Sequence, residues 1–186
     1  MKALFNRTIF DQVDLDSAAL SMKAAVVHMM TEPGEYRGQV SRNGDVVGYF
    51  RVMVGDQYPS KQAALELRSL DRQLGRTGSV PDGSLFSLST KGHCVFFVKD
   101  GPGGYAVTLI PADEKSAAEP FSSRELKEGD VFTATPIRPG TYAVTNEKNK
   151  STMELVIPYP KRVDRKPVLK PIAIECTAKG MRPDRV

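Results

Sequence analysis

The sequence predicts a mainly β protein, an antiparallel β-sandwich with an N-terminal helical arm and an extended C-terminal arm. Short segments of alternating apolar and polar residues fill the chain from residue 32 to residue 160, and Gly, Pro, Asn and Asp separate them. This punctuated alternation is typical of antiparallel β domains. Asn43-Gly44 lies between two such segments and favours the positive φ angles of a type I′ hairpin. With 186 residues, the chain can bury a core without disulfide staples.

The first part of the chain, residues 1–31, is predicted to be a helical arm. Leu15, Met22 and Met29 recur at helical spacing, and acids precede bases as the helix dipole prefers. The apolar run from Ala24 to Met30 also fits a buried strand, because periodicity does not separate the two at this length. The residues from Thr31 to Gly34 end either element.

The body, residues 32–160, divides into predicted strands. These are Tyr36 to Arg42, Asp45 to Val54, Leu85 to Thr90, Cys94 to Lys99 and Tyr105 to Ile110. Gln62 to Gln73 fits a strand and a helix equally well. Lys99 to Gly104 is interpreted as a hairpin turn, since it lacks the Gly-Lys-Ser/Thr ending of a phosphate loop. The polar stretch from Ala112 to Glu119 predicts a loop or short helix, at which the body could divide into two small sandwiches.

The segment from Leu126 to Val156, which contains GDVF and RPGTYAVTN, resembles the copper-binding region of cupredoxins. In that family the Pro-Gly-x-Tyr strand leads into a loop with Cys, His and Met ligands. Here Asn146 takes the Cys position, Asn149 takes the His position, and Met153 lies near the Met position. Blue copper needs a thiolate and imidazoles. The resemblance therefore implies a cupredoxin-like sandwich with no copper, and we predict no metal and no cofactor.

Two further observations bear on this resemblance. The Pro139-Gly140 turn and the alternating strand after it are also typical of immunoglobulin-like sandwiches, so this interpretation stays open. The C-terminal string IAIECTAKGMRPDRV is similar to the opening strand of a cupredoxin module. Both observations favour a β-sandwich.

Catalytic residue types are scarce in this chain. It has only two histidines, His28 in the predicted helix and His93 beside Cys94. Neighbours on a strand point to opposite faces, so His93 and Cys94 form a poor catalytic pair. Cys94 and Cys176 lack metal-type spacing and are interpreted as buried thiols. We predict that the protein is not an enzyme.

The basic residues are concentrated at the C-terminus. Residues 161–186 hold eight Lys/Arg against three Asp/Glu, whereas the rest of the chain holds 18 against 19. This basic arm suits an acidic protein face or anionic lipid, or it is a solvated tail. Nucleic acid is disfavoured because the arm contains no aromatic residue to stack on bases. No apolar run is long enough to span a bilayer, and early acids disfavour a secretory signal, so we expect a cytoplasmic protein that is free or peripheral at the membrane face.

The arm also contains a predicted strand, in which Ile172, Ile174 and Cys176 alternate with more polar residues. It either closes the protein's own sheet or adds to the sheet edge of a partner. We predict a non-enzymatic accessory or scaffolding subunit that binds neighbouring proteins of a larger assembly. The predicted partner-binding residues are the cations Lys161, Arg162, Arg165, Lys166 and Lys170 and the strand residues Ile172 and Ile174.

Two alternative functions stay open. One is the extrinsic subunit of a membrane complex, held partly by anionic lipid. The other is a small-ligand-binding or enzymatic β-domain with a loop pocket near His93, Asn146 and Asn149.

Overall fold

A computed structural model of the protein describes residues 14–71, 84–159 and 171–183. The chain divides into two compact units, Met1–Thr135 and Pro136–Val186. The described residues form thirteen strands and one five-residue helix, so the protein is mainly β. The domain boundaries predicted at residues 31, 112–120 and 160 stay predictions.

The first unit contains nine strands and the helix within its described residues. They are β1 (Ala24–Met29), β2 (Gly34–Arg42), β3 (Asp45–Val54), β4 (Gln62–Glu66), α1 (Leu67–Asp71), β5 (Ser84–Leu88), β6 (His93–Phe97), β7 (Tyr105–Pro111), β8 (Phe121–Ser122) and β9 (Val131–Ala134). The second unit contains β10 (Gly140–Asn146), β11 (Ser151–Ile157), β12 (Glu175–Thr177) and β13 (Gly180–Arg182).

Two sheets of the first unit share one core. The five-stranded sheet has the order β5-β3-β2-β7-β8, and the four-stranded sheet has the order β4-β6-β1-β9. Phe50 of the five-stranded sheet lies 6.1 Å, between ring centroids, from Phe96 of the four-stranded sheet. The ring of Phe121 stacks on Phe96 at 5.5 Å. This arrangement is consistent with a β-sandwich.

The prediction of purely antiparallel strands was wrong at one edge of each sheet. β5 pairs parallel with β3, and β4 pairs parallel with β6. The cause is the path of the chain, which alternates between the two sheets from β3 to β6. The connection from β3 to β5 passes through β4 in the other sheet, and the connection from β4 to β6 passes through β5 in the same way. A crossover connection permits parallel pairing, whereas a hairpin does not. The alternation of residues within a strand carries no information about this direction.

The hairpin prediction at Asn43-Gly44 is confirmed. Asn43 and Gly44 have φ angles of 51° and 99°, and they join the antiparallel strands β2 and β3. Most other strands predicted in the body also occur, with ends displaced by one or two residues.

The ambiguous stretch from Gln62 to Gln73 contains both predicted structures within its described part. β4 buries Ala63 and Leu65 at a spacing of two, and α1 then buries Leu67 and Leu70 at helical spacing. Glu66 marks the change, because its carboxylate accepts a 2.7 Å hydrogen bond from the Ser69 N–H and so caps the helix.

The helix predicted over the N-terminal arm was wrong for its described part, residues 14–31. Residues 14–23 form turns and an isolated bridge from Leu20 to Tyr105, and the strand alternative is confirmed for Ala24–Met29. β1 lies inside the four-stranded sheet between β6 and β9. Val26 and Val27 suit a pleated sheet through their branched side chains, and Val26 is fully buried. Sheet pairing on both sides therefore outweighs the weak helical periodicity. Residues 1–13 of the predicted arm lie outside the described residues.

The segment from Lys99 to Gly104 is not a hairpin turn. It leads from β6 in the four-stranded sheet to β7 in the five-stranded sheet. Gly101 and Gly104 have φ angles of 85° and 93°, which glycine adopts without strain. Glycine and proline thus indicate that the chain changes direction, but they do not indicate which sheet the next strand joins.

In the second unit, β10 and β11 form an antiparallel hairpin and β12 pairs with β13. Met153 of β11 and Met181 of β13 are buried. The predicted C-terminal strand is shorter than expected, because only Glu175–Thr177 is a strand, and it pairs within the chain. Cys176 is exposed rather than buried as predicted.

We predict that Gly38→Ala destabilises the first unit. Gly38 lies directly opposite Phe50 on the neighbouring strand, and an added Cβ would overlap the Phe50 ring. Overpacking of this kind costs about 1–3 kcal/mol. Urea unfolding monitored by circular dichroism measures the effect, with Gln39→Ala on the opposite face of the same strand as control. Equal stability of Gly38→Ala and wild type would contradict this account of the core.

Candidate functional site

The predicted partner-binding cations Lys161, Arg162, Arg165, Lys166 and Lys170 lie outside the described residues. Ile172 and Ile174 are described and precede β12, so neither belongs to a strand. Ile172 has 57% of its surface exposed, and Ile174 is half-buried. Their role in binding a partner stays a prediction.

The two asparagines at the copper-ligand positions stabilise the turn between β10 and β11. The Asn149 Oδ1 accepts hydrogen bonds from the Ser151 N–H and hydroxyl at 3.0 and 2.6 Å. Its Nδ2 donates to the Thr177 carbonyl at 2.8 Å. The Asn146 Oδ1 accepts from the Lys148 N–H at 3.0 Å. The structure thus assigns these amides local structural contacts.

Two surface depressions of the described chain involve other residues. One lies around Glu32, Tyr36 and Asp113, and the other lies around Thr108 and Ile110. The loop pocket predicted near His93, Asn146 and Asn149 is not among these depressions, and His93 belongs to the first unit whereas the asparagines belong to the second.

A His-Asp pair that the sequence did not indicate lies at the edge of the core. The His28 Nδ1 is 2.7 Å from the Asp130 Oδ1, and the Asp130 side chain is only 3% exposed. The other Asp130 oxygen accepts a hydrogen bond from the Lys127 N–H. The His28 ring stacks on Phe121 with 4.3 Å between centroids. Because 102 residues separate His28 from Asp130, no local motif indicates the pair.

The thiol opposite this pair in the four-stranded sheet is not an available nucleophile. Cys94 lies opposite His28 in the register of β1 and β6, but it is fully buried. Burial raises the pKa of the Cys94 thiol to about 12. The thiol is therefore protonated at neutral pH, and the thiolate is the reactive form. The geometry supports a structural role for His28, Asp130 and Cys94.

A second polar cluster lies where β2, α1 and β7 meet. The Tyr105 hydroxyl donates a 2.7 Å hydrogen bond to Asp71, and the Arg42 guanidinium lies 3.5 Å from the same carboxylate. Arg42 also lies over the Tyr105 ring, 5.7 Å from its centroid. Burial, followed by the hydrogen bond to Asp71, raises the pKa of Tyr105 to about 12. The cluster joins the end of α1 to the five-stranded sheet.

Two negative findings apply to the described ranges, 14–71, 84–159 and 171–183. No group of three or more His, Cys, Asp or Glu residues there is arranged to hold a metal ion. None of the helical structure in those ranges is long and apolar enough to cross a membrane.

Several large hydrophobic residues are exposed on the side of the five-stranded sheet that faces away from the core, which we call the outer face. It combines apolar and arginine side chains, and its principal residues are Arg37, Val46, Tyr49, Arg51, Met53, Leu85 and Ile110. The exposed fractions are 42% for Val46, 39% for Tyr49, 58% for Leu85 and 50% for Ile110. These four are half of the large hydrophobic residues that are exposed in the described chain.

The alternation of the strands produces this outer face. On β3, Phe50 and Val52 point into the core, so Tyr49 and Arg51 between and beside them point outward. The same rule places Leu85 of β5 and Ile110 of β7 on the outer face, since their neighbours pack inward. The sequence predicted the alternation of β3 and β7, but it did not indicate that their outward residues meet on one surface.

Comparisons with known proteins found no matching family model, no similar curated protein and no similar solved structure. The resemblance of the segment Leu126 to Val156 to cupredoxins therefore has no support from these comparisons. The structure divides this segment, because β9 belongs to the first unit and β10 and β11 belong to the second.

We predict that the two thiols of the folded protein react at very different rates. Cys176 is exposed, whereas Cys94 is buried with a pKa of about 12. An aromatic disulfide reagent at pH 8 is expected to modify one thiol rapidly in the native protein and the second only after unfolding in guanidinium. Cys176→Ser should abolish the rapid phase. Rapid modification of both thiols in the native protein would contradict the burial of Cys94.

We also predict that Tyr105 contributes to alkaline unfolding. Its folded pKa is about 12 against an ordinary value of 10.0, so its contribution to stability is complete below pH 10 and is lost as the pH rises toward 12. Tyr105→Phe removes the hydrogen bond to Asp71 and is expected to cost about 0.5–1.5 kcal/mol at pH 7.

Urea unfolding at pH 7, 9 and 11 measures both effects. The free energy of unfolding of Tyr105→Phe should decline less steeply above pH 10 than that of wild type. The control is Tyr159→Phe, because Tyr159 is 80% exposed. The ionisation of Cys94 affects all three proteins alike. Equal slopes for wild type and Tyr105→Phe would show that Tyr105 does not ionise with the assigned pKa.

Proposed function

We propose that this protein is a non-enzymatic accessory or scaffolding subunit that binds neighbouring proteins in a larger assembly. The observation that carries the proposal is the outer face of the five-stranded sheet, where Tyr49, Leu85 and Ile110 are exposed beside Arg37 and Arg51. Aromatic residues, Met and Arg are enriched at the centres of protein interfaces, whereas Lys and Asp are depleted there. Glu is depleted there as well, and Glu35, which pairs with Arg51, is the exception on an outer face that otherwise follows this pattern.

The shape of the outer face also supports binding of a protein. Small-molecule sites are usually concave and enclose most of their ligand. The outer face is formed by the outward side chains of adjacent strands, and a sheet presents such side chains across a broad surface. A broad surface with apolar groups suits a macromolecular partner better than a small substrate.

The size of the outer face leaves a role for the terminal arms. Five strands about 4.8 Å apart and about 20 Å long give a projected area of about 400 Å². A standard interface buries about 800 Å² on each partner. The predicted contacts of the C-terminal arm, including Ile172, are a separate part of the proposal. A cytoplasmic location and a copper-free, cupredoxin-like sandwich belong to the proposal as predictions from the sequence.

We predict that a substitution on the outer face weakens binding to the partner. Full-length wild type, Leu85→Asp and Tyr159→Ser are each used to retrieve proteins from native lysate, and the stoichiometric partner is then purified and titrated. Leu85→Asp should weaken binding about tenfold or more, because a carboxylate would replace an apolar contact in the interface. Tyr159→Ser removes a side chain that is 80% exposed in the second unit and serves as the matched control.

A further variant tests the basic arm separately. It changes the cations Lys161, Arg162, Arg165, Lys166 and Lys170 to Gln in the full-length chain. Loss of the partner with this variant alone would assign binding to the arm, and loss with both variants would assign it to both surfaces. The proposal fails if wild type retrieves no stoichiometric partner, or if neither variant weakens binding while circular dichroism shows that both are folded.

A further inference from the structure

The strand β10 (Gly140–Asn146) has one unpaired side within the described chain. Its sheet has the order β10-β11, so β11 occupies one side, and no described strand pairs with the other. β10 has seven residues, whereas the edge strands of the two larger sheets have two to five. It contains no charged residue and no proline, which are common protections of an edge. An edge of this length and composition is suited to adding a further strand.

A further strand would also complete the second unit, because the core of this unit is small. Met153 and Met181 are its only hydrophobic residues that are buried in the described chain. A two-stranded hairpin is marginally stable in water, and three or more strands with an apolar face are needed for independent stability. Met153 shares its side of the hairpin with three residues that are only half-buried, Tyr142, Val144 and Leu155.

The residues of β10 are arranged symmetrically by type about Ala143. Thr141 and Thr145 lie two residues from it on the exposed face, and Tyr142 and Val144 lie one residue from it on the other face. In an antiparallel pair of β10 strands centred on Ala143, Thr141 lies opposite Thr145 of the second copy. Tyr142 likewise lies opposite Val144 of the second copy. Thr–Thr pairs and pairs of an aromatic with a β-branched residue are favourable across strands.

We propose that two copies of the protein associate by pairing their β10 strands antiparallel about a two-fold axis. The axis is perpendicular to the sheet and passes through Ala143, so that all seven residues of each strand are paired and the apolar sides of both hairpins share one face. The product is a continuous sheet with the order β11-β10-β10-β11. Its new main-chain hydrogen bonds number about six to eight.

This inference goes beyond the proposed function, which concerns the outer face of the first unit. It adds a surface of the second unit and names its partner as a second copy of the chain. Pairing gives each particle two outer faces, which would strengthen binding to an assembly with repeated sites.

The composition of β10 favours a second copy over other occupants. The strand offers no charge by which it would select a charged foreign strand, whereas a copy of itself matches its pattern at every position. The neighbouring strand β11 (Ser151–Ile157) is less suited to self-pairing, because Glu154 lies at its centre. Two antiparallel copies of β11 would bring these carboxylates opposite each other, and like charges directly opposite destabilise a pair of strands.

Sedimentation velocity of the full-length protein, from about 1 μM to about 300 μM, tests the association. A single pair of strands is a small interface, and small interfaces are weak, so we expect a monomer at the lowest concentration and a discrete dimer at the highest. Two variants change the same exposed threonines. The repulsive variant, Thr141→Lys/Thr145→Lys, places lysines opposite each other across the axis. The complementary variant, Thr141→Lys/Thr145→Glu, places each lysine opposite a glutamate.

We expect the repulsive variant to associate at least about tenfold more weakly than wild type, and the complementary variant to associate at least as tightly as wild type. Circular dichroism checks that both variants are folded. Because both replace the same two side chains, a general effect of losing the threonines would change them equally.

Three results would overturn the inference. The first is a wild type that stays monomeric at all concentrations, including one that retrieves a partner lost with the repulsive variant, which would assign the edge to a foreign strand. The second is equal association of the two variants, and the third is assembly into large species without a discrete dimer. The retrieval experiment with Leu85→Asp decides the proposed function independently, because Leu85 belongs to the first unit.

Discussion

A continuous series of aromatic rings holds the two sheets of the first unit together. Phe86 contacts Phe50, Phe50 contacts Phe96, Phe96 stacks on Phe121, and Phe121 stacks on His28. The series passes repeatedly between the five-stranded and four-stranded sheets. Each aromatic pair contributes about 0.5–1.5 kcal/mol beyond the burial of its surface. Gly38 gives Phe50 the space that this packing requires.

The ring series also determines which residues reach the surface. Because alternate residues of a strand point to opposite faces, placing Phe50 inward commits Tyr49 and Arg51 to the outer face. Phe86 has the same effect on Leu85. The alternation of inward and outward residues along β3 and β5 therefore determines both the packing of the core and the composition of the proposed interface. A change of register by one residue would bury the charges and expose the rings.

Polar side chains at the margins of the core pair with one another, although the buried Arg42 Nε has no hydrogen-bond partner in the described chain. Asp130 is almost fully buried and is matched by His28 and by a backbone N–H. Asp71 similarly receives the Tyr105 hydroxyl and lies beside Arg42. Buried polar groups that keep their hydrogen bonds add specificity without the cost of an unsatisfied charge.

Local sequence determined the local elements of this protein. The Asn43-Gly44 hairpin and the strands beside it follow from residue patterns, because both depend on neighbouring residues alone. Tertiary structure decided the remainder. Pairing with β6 and β9 makes Ala24–Met29 a strand, and the alternation of the chain between sheets makes two strand pairs parallel. The outer face likewise depends on residues from several strands, with Arg37 of β2 and Ile110 of β7 far apart in the chain. The sequence determined which residues would face outward, but only the order and register of the strands decided which of them would meet, since pairing partners are chosen by the packing of the whole core.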